Sequence, residues 1–419
     1  MKTFAVIGFG CAGYSAAAAI RRQDPDAAIH IYSDTGEAPY NPMLTTYYVS
    51  GKIEEKAMFP MGDLEKVKKD LGAEIFRSSP VKKLNAGRKE IVLSDGSTRR
   101  YDRIIISSGA SAVIPPIGSL PEKGVFTMRT ASDARHLEKA LNKDVRSALV
   151  IGAQMVGIKL VELLTKRGID TTLADMECRM FPASAYESTA AIIAQRLENA
   201  GVKLLLGSPV ASVSSTVSGI ACAFANGEKT ETDIVVFCSG IRPNLDFIDR
   251  NEIAVGFGIK TDLSMETNVS GIYAAGDCCE CANILGQGNA YIGLWANSAM
   301  QGRVAGSNAA GSCEQYPGNL IQNITHYMDT DFISVGDVYA PGERIIHSSE
   351  DGSWRIELTV ADGKIVALNI LDNAVLSGPV KNLLLHKAAH PDTAITEAGK
   401  LILARGGIPE DIIRKLGGE

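Results

Sequence analysis

The chain has 419 residues, 45% hydrophobic and 21% charged, with a net charge of −6. That balance is ordinary for a globular enzyme of two or three domains and offers no basic surface for nucleic acid or an anionic membrane. No run approaches the roughly 18 apolar residues of a membrane span, the apolar start is too short for a signal peptide, and the eight cysteines lack a secreted-domain pattern, which fits a reducing cytoplasm.

Taken in chain order, the apolar run 4–7 reads as a buried strand. It leads through the turn AVIGFGCAG, with Gly8, Gly10 and Gly13, into an Ala-rich helix over 12–22. In such a turn the first glycine makes the bend, the second lets the backbone approach a pyrophosphate, and the third lets helix and strand pack closely. The helix N-terminus then presents free N–H groups to the phosphates. A strand over 28–32 ends at Ser33 and Asp34, about 20 residues past the glycines, where an acidic group would bind an adenosine ribose. A β-meander over 81–95 follows, then a buried strand over 103–106 ending in Ser107, Ser108 and Gly109. The Pro-rich segment 113–118 reads as a linker.

The arrangement then repeats. A strand over 148–151 runs into IGAQMVG, with Gly152 and Gly157, then a helix over 156–167 capped by Gly168 and a strand over 171–174 with Asp175 at its end. Two such units imply two dinucleotides held together, with hydride transfer between them as the usual reason. Gln154 stands where the middle glycine belongs and crowds the pyrophosphate unless it turns outward; a unit that keeps the fold but binds nucleotide poorly is the alternative. Asp175 would accept a ribose 2′-OH and repel a 2′-phosphate, which favours NAD over NADP, although Arg179 is near enough to blur the preference. A strand over 234–237 closes the unit at Cys238-Ser239-Gly240. After Arg242-Pro243-Asn244 the chain is expected to return to the first unit. A strand over 271–275 ends at Gly276-Asp277, and a helix follows around 294–310. From about 315, short strands (332–335, 355–360, 365–370) and a helical tail form a separate α+β unit. The expected fold class is α/β: two Rossmann-like dinucleotide-binding domains of the three-layer ββα type plus a C-terminal α+β domain. The expected boundaries are 1–118 with 242–314, 119–241, and 315–419.

Five pieces occur in one order: GFGCAG near the start, SSGA at 107–110, the second glycine motif at 152–157, GIRPN at 240–244 and TNVSGIYAAGD at 267–277. Over residues 1–310 the chain thereby resembles the FAD/NAD(P)-dependent pyridine nucleotide-disulfide oxidoreductase superfamily. The resemblance implies FAD on the first domain, held by Gly8, Gly10, Cys11, Ala12, Gly13, Ser33, Asp34, Val81, Ser108, Gly109, Arg129, Gly276, Asp277 and Trp295. It implies NAD on the second, held by Gly152, Gln154, Met155, Val156, Gly157, Asp175 and Gly240. Asp277 would face the flavin ribitol and pyrophosphate; a helix N-cap is the other reading. Trp295 would pack near the isoalloxazine or simply belong to the core. Lys159 stands where many members carry Glu near nicotinamide and flavin. It is the one catalytic candidate, a cation that would stabilise negative charge on the reduced flavin; the alternative is a helix lysine whose stem covers apolar surface.

The departures sharpen the expectation. The coenzyme A disulfide reductase and NADH oxidase branch carries a redox cysteine after the second strand. Here that segment reads PYNPMLTTYYVSG, with Met43 or a neighbour without sulfur at the position. The segment looks closer to rubredoxin- and ferredoxin-reductase-like members, although the basic residue before their proline is Asn41 here. Those members pass electrons between NAD(P)H, FAD and a one-electron iron–sulfur partner. A further resemblance, in length and in GDCCECANILGQGNAYIGLW, is to the flavin subunit of 2-oxoacid:acceptor oxidoreductases of the phenylglyoxylate dehydrogenase type. Cys278, Cys279 and Cys281 lack the Cys₄ spacing of a cluster and read as buried structural thiols, and no metal site is expected. His326 reads as a packed or interface histidine. The C-terminal unit matches the family's interface domain in position, and Ile395, Ala398, Leu401 and Ile402 lie at helical spacing that would suit a partner. The expectation is a cytoplasmic FAD oxidoreductase linking NAD(H) to an iron–sulfur protein or subunit, as a homodimer or part of a larger complex. A flavin NADH oxidase or peroxide reductase and a non-catalytic dinucleotide-binding scaffold are the rivals.

Overall fold

Short runs that are apolar on both faces make poor surface strands but good central ones, because a parallel sheet is covered by helices on both sides. In the computed structural model, which describes residues 1–286, 288–390 and 393–417, Thr3–Ile7 is such a strand, buried along almost its whole length. It is central to a parallel sheet in the order Ile272–Ala274, Arg103–Ile106, Thr3–Ile7, Ala28–Tyr32, Glu74–Phe76. The second glycine motif follows Ser147–Ile151, again the middle strand of a parallel sheet: Lys203–Leu206, Asp170–Asp175, Ser147–Ile151, Ile234–Phe237, Val125–Thr127. The meander expected over 81–95 is a three-stranded antiparallel sheet that reaches further, to Thr98–Arg100.

The helix Cys11–Gln23 lies on the first sheet and packs against the helix Trp295–Ala310. The approach is close because the facing residues are small. A Cβ on Gly302 would stand 2.2 Å from the Ala12 carbonyl oxygen, and one on Gly306 would stand 2.2 Å from that of Ala16.

The chain crosses between the two units twice, and the crossings are bonded to each other. Ala110–Ala112 and Ile241–Pro243 form a two-stranded antiparallel ribbon with Ala112 opposite Ile241. Ser111 Oγ reinforces it by donating to Asn244 Oδ1 at 2.7 Å.

The C-terminal part is an antiparallel sheet in the order Gln322–Tyr327, Thr330–Gly336, Lys364–Leu371, Arg355–Ala361, Glu343–Ser348. The first and last of these strands were absent from the sequence expectation; their alternating polar residues mark half-exposed edges. Tyr327, Phe332 and Leu371 join the core of the second unit, with the Phe332 and Phe181 rings 4.7 Å apart. Buried Glu357 clasps the same junction. It accepts from Ser188 Oγ and from Thr189 Oγ1 at 3.2 Å, and it pairs with Arg344 at 3.3 Å and Arg355 at 3.6 Å. The helices Ser377–Ala389, Glu397–Arg405 and Glu410–Gly417 cover the sheet through Leu384, Leu403 and Ile413. Of the four tail residues expected to face a partner, Ile395 is instead buried in this core, while Leu401 and Ile402 are exposed. Among the described residues no helix is long and apolar enough to cross a membrane.

Candidate cofactor site

The two glycine turns solve the same steric problem. Gly8 and Gly152 have φ of +102° and +121°, a region that side chains rarely adopt. A Cβ on Gly8 would lie 2.1 Å from the Ser107 carbonyl oxygen, and one on Gly152 would lie 2.3 Å from that of Cys238. Gly13 and Gly157 let each helix lie on its own turn, since a Cβ there would meet the carbonyl oxygens of Gly8 and Gly152 at 2.2 and 1.9 Å. Gly10 is different: a Cβ there would meet nothing within 4 Å. It N-caps the helix without a side-chain acceptor, so the first helical N–H groups face open space. That is a phosphate cradle in its elements. At the equivalent N-cap of Met155–Lys166 stands Gln154, half-buried and making no capping hydrogen bond.

Above the first turn opens a cleft of about 500 Å³. Its floor is the turn itself, the strand ends Ser107–Gly109 and Ala275–Asp277, and the start of the helix at Trp295 and Ser298. Its rim comes from the loop Glu37–Met43 and from Arg129–Asp133 of the second unit. Strand ends of a parallel sheet are where such folds bind ligands. Arg129 Nη2 meets Asp277 Oδ2 at 2.5 Å, with both side chains largely buried, and so joins the two units across the cleft. Arg129 Nε also donates to the Ala110 carbonyl at 3.2 Å, and Ser298 Oγ donates to Asp277 Oδ1 at 3.1 Å. Asp277 is not an N-cap: the helix begins at Trp295, and its N-cap is Leu294.

All the residues assigned to FAD line this cleft except Gly13, which serves packing, and Val81, which is half-buried on the meander against the first core. Cys11 lines it too, but burial pushes its thiol up to about 11, so it is no thiolate at neutral pH. Sequence reasoning missed Phe9, Glu37, Tyr40, Asp133, Asn244 and Ser298 as lining residues. Phe9 lies inside the first glycine motif and Asn244 ends GIRPN; the other four belong to none of the five matched motifs. Met43 lines the cleft with 57% of its surface exposed.

At the second turn Asp175 closes the strand end. Its carboxylate accepts the Ala153 N–H at 2.6 Å and the Glu177 N–H at 2.9 Å, so it holds the loop. Met155 is half-buried, Val156 is 40% exposed, and Gly240 has φ +103° in the loop after Ile234–Phe237.

Lys159 is elsewhere than expected. Its ammonium pairs with Glu162 at 3.2 Å, donates to the His326 carbonyl and lies 5.7 Å from the Tyr47 ring centroid. It lines a second cleft of about 170 Å³, not the one that Asp277 lines, and its charge is already engaged. His326 is not packed but 59% exposed, with Nδ1 2.7 Å from Asp331. Cys278, Cys279 and Cys281 are buried, and each directs its sulfur at a different backbone carbonyl. Burial raises all three thiols, Cys278 to about 11. Among the described residues no group of three or more His, Cys, Asp or Glu is arranged to hold a metal ion.

Comparison with known proteins agrees with this architecture. Residues 2–302 match the family model described as pyridine nucleotide-disulphide oxidoreductase. The epsilon subunit of NADH-dependent phenylglyoxylate dehydrogenase from Aromatoleum evansii is 27% identical over 390 residues, 92% of this chain and 91% of that one. The rubredoxin-NAD(+) reductase of Pseudomonas putida is 24% identical over 74% of this chain and 81% of its own. An NAD-dependent persulfide reductase from A. fulgidus superposes with a TM-score of 0.82 at 25% identity, over 88% of this chain and 73% of its own. The chain belongs to the pyridine nucleotide-disulphide oxidoreductase family, and it is an NAD(P)H-dependent flavin oxidoreductase with FAD and NAD as its cofactors.

Proposed function

We propose that this chain passes electrons between NAD(H) and a one-electron iron–sulfur protein or partner subunit, as the flavin component of a larger assembly. In this reading residues 1–118 with 242–314 hold FAD, residues 119–241 hold NAD, and residues 315–419 serve assembly. When bound, the flavin supplies the switch between paired and single electrons. The chain's own residues bind and orient. The open turn at Gly10 receives the pyrophosphate, Arg129 neutralises charge there, Asp277 holds the ribitol hydroxyls, and Trp295 walls the ring.

The observation that carries the reading is Met43. It lines the cofactor cleft, and by the resemblance it, or a neighbour without sulfur, stands where the disulfide-reducing branch carries its cysteine. Of the eight cysteines only Cys11 lines that cleft, and it is held as a thiol. With no thiolate to accept the pair, the electrons must leave to something outside the chain. The epsilon subunit matched over nine-tenths of both chains supports a place in a 2-oxoacid dehydrogenase complex.

The test is anaerobic rapid mixing of the flavin-loaded protein with NADH and with NADPH, followed by addition of an iron–sulfur protein or of oxygen. The expected result is fast loss of the flavin absorbance band with NADH and faster reoxidation by the iron–sulfur protein than by oxygen. Rapid turnover with oxygen alone would make the chain an oxidase. A flavin that neither nucleotide reduces would overturn the reading for the isolated chain.

A further inference from the structure

The second cleft is rich in cations. It lies between the short helix Thr45–Val49 and the helix Met155–Lys166 and is lined by Thr46, Tyr47, Ser50 and four cations, Lys52, Lys159, Lys166 and Arg167. The one carboxylate lining it is Glu162, which is buried and already shared by Lys159 at 3.2 Å and Lys166 at 2.8 Å. Asp329 is the other acid close to Lys166, and Glu55 and Glu138 face the neighbouring Tyr48. Asp329, Glu55 and Glu138 do not line the cleft, and Glu55 is paired with Arg135, so the lining itself sets four cations against one carboxylate on a chain whose total charge is −6.

Its centre is aromatic. Tyr47 is 38% exposed, with Lys52 at 5.6 Å and Lys159 at 5.7 Å from its ring centroid. Arg167 is fixed beside it by donating to the Val49 carbonyl at 2.5 Å. An exposed tyrosine ringed by cations is the composition of a protein-docking hot spot rather than of a small-anion pocket.

Its position matters as much. Pro42 and Met43 line the cofactor cleft, while Thr46, Tyr47, Ser50 and Lys52 line this one. One short segment thus floors both. From Met43 to Tyr47 is about one helical turn, a rise of roughly 6 Å. A partner seated on Tyr47 would stand one turn from the rim of the cofactor site.

We propose that this cleft is the docking site for the acidic face of the electron-accepting iron–sulfur protein. The proposal rests on the electron-transfer reading above and adds to it where the partner sits and which charges select it. Lys52 and Arg167, with the one positive charge that Lys159 and Lys166 keep over their shared Glu162, steer an acidic partner toward the cleft, and Tyr47 anchors it beside the segment that leads to the cofactor.

The test uses the full-length, flavin-loaded protein with NADH as donor and a purified acidic [4Fe–4S] ferredoxin as acceptor. Lys52→Glu paired with Lys166→Gln is compared with Lys68→Glu paired with Lys69→Gln, an equal charge change on the helix Leu64–Leu71. Lys52→Glu alone, which breaks no ion pair, serves if the double variant folds poorly. At low salt the cleft variant is expected to reduce ferredoxin about tenfold more slowly, because steering by like charge is lost. The difference should shrink toward nothing by about 0.5 M salt. Reduction of the uncharged acceptor menadione and of the flavin itself should stay at the wild-type rate. Equal losses in the cleft and control variants, or no loss in either, would overturn the docking site while leaving the electron-transfer reading intact. A wild-type protein whose flavin NADH reduces but which never passes electrons to ferredoxin would overturn both.

Discussion

Gly10 and Gly13 sit three residues apart in one turn, yet the structure gives them opposite jobs, and alanine at each should separate them. At Gly13 the new methyl would lie 2.2 Å from the Gly8 carbonyl oxygen and 2.8 Å from Ser107 Oγ. Alanine normally gains about 1 kcal/mol over glycine inside a helix. Overpacking against backbone costs about 1–3 kcal/mol or more, because the nearest atom cannot rotate away. A contact this short with backbone takes the upper end of that cost, so the net should be a loss of roughly 2 kcal/mol, or about 4–8 °C in Tm for a unit of this size, whether or not flavin is present. At Gly10 the backbone has φ −85° and ψ −163°, which alanine adopts freely, and nothing lies within 4 Å. The apoprotein should keep its stability to within about 0.5 kcal/mol. The methyl would instead fill the space left for the pyrophosphate and displace one or two charge-assisted N–H bonds. Losing those weakens flavin binding by about tenfold to a hundredfold. Thermal unfolding of flavin-stripped protein, with flavin titration followed by fluorescence quenching, reads both effects. If Gly10→Ala unfolds early without flavin, or binds flavin as tightly as wild type, the open turn is not a phosphate cradle.

Three other outcomes follow from the geometry. In native protein a thiol reagent at neutral pH should rapidly modify only the exposed Cys178 and Cys313, because burial keeps Cys11, Cys222 and Cys278 protonated up to about 11; Met43→Cys should add one fast-reacting thiol, and unchanged stoichiometry would refute its exposure. Glu357→Leu should cost about 3 kcal/mol in denaturant unfolding, because it leaves the largely buried Arg355 and the Ser188 and Thr189 hydroxyls without their carboxylate while the half-exposed Arg344 returns to water; a neutral result would mean that the clasp carries no net stability. Asp175→Ala should lower NADH kcat/KM by at least about tenfold, since it removes both a ribose partner and the Ala153 and Glu177 loop bonds; full retention of NADH preference over NADPH would refute its role.

The central runs 4–7, 148–151 and 234–237 were legible because each is short and wholly apolar with a turn at its end, a signal that needs no partner. The glycine turns were legible for the same reason: the steric demand at Gly8 and Gly152 is made by the very next elements. What stayed hidden depends on distant neighbours. Gly302 and Gly306 look like weak helix residues until Ala12 and Ala16 lie against them. Arg129 and Asp277 are 148 positions apart, and nothing local marks them as an ion pair. Tyr40 and Glu37 reach the cleft from an irregular loop, where no periodicity reports direction. Lys159 was placed correctly on its helix but wrongly in space, because the side-chain partners that draw it away, Glu162 and the His326 carbonyl, come from one turn further on and from the C-terminal sheet.

The ribbon of Ala110–Ala112 and Ile241–Pro243 has a mechanical consequence. Both covalent links between the nucleotide units run side by side and are bonded to each other, so they act as one hinge line rather than two tethers. Sliding would tear the ribbon's hydrogen bonds, and rotation about it would not. Ala110, Ser111 and Ala112 also line the cofactor cleft. The axis of any such rotation therefore touches the wall of that cleft. A swing of the second unit about it would be felt first at that wall, where the Arg129–Asp277 pair latches the two units together.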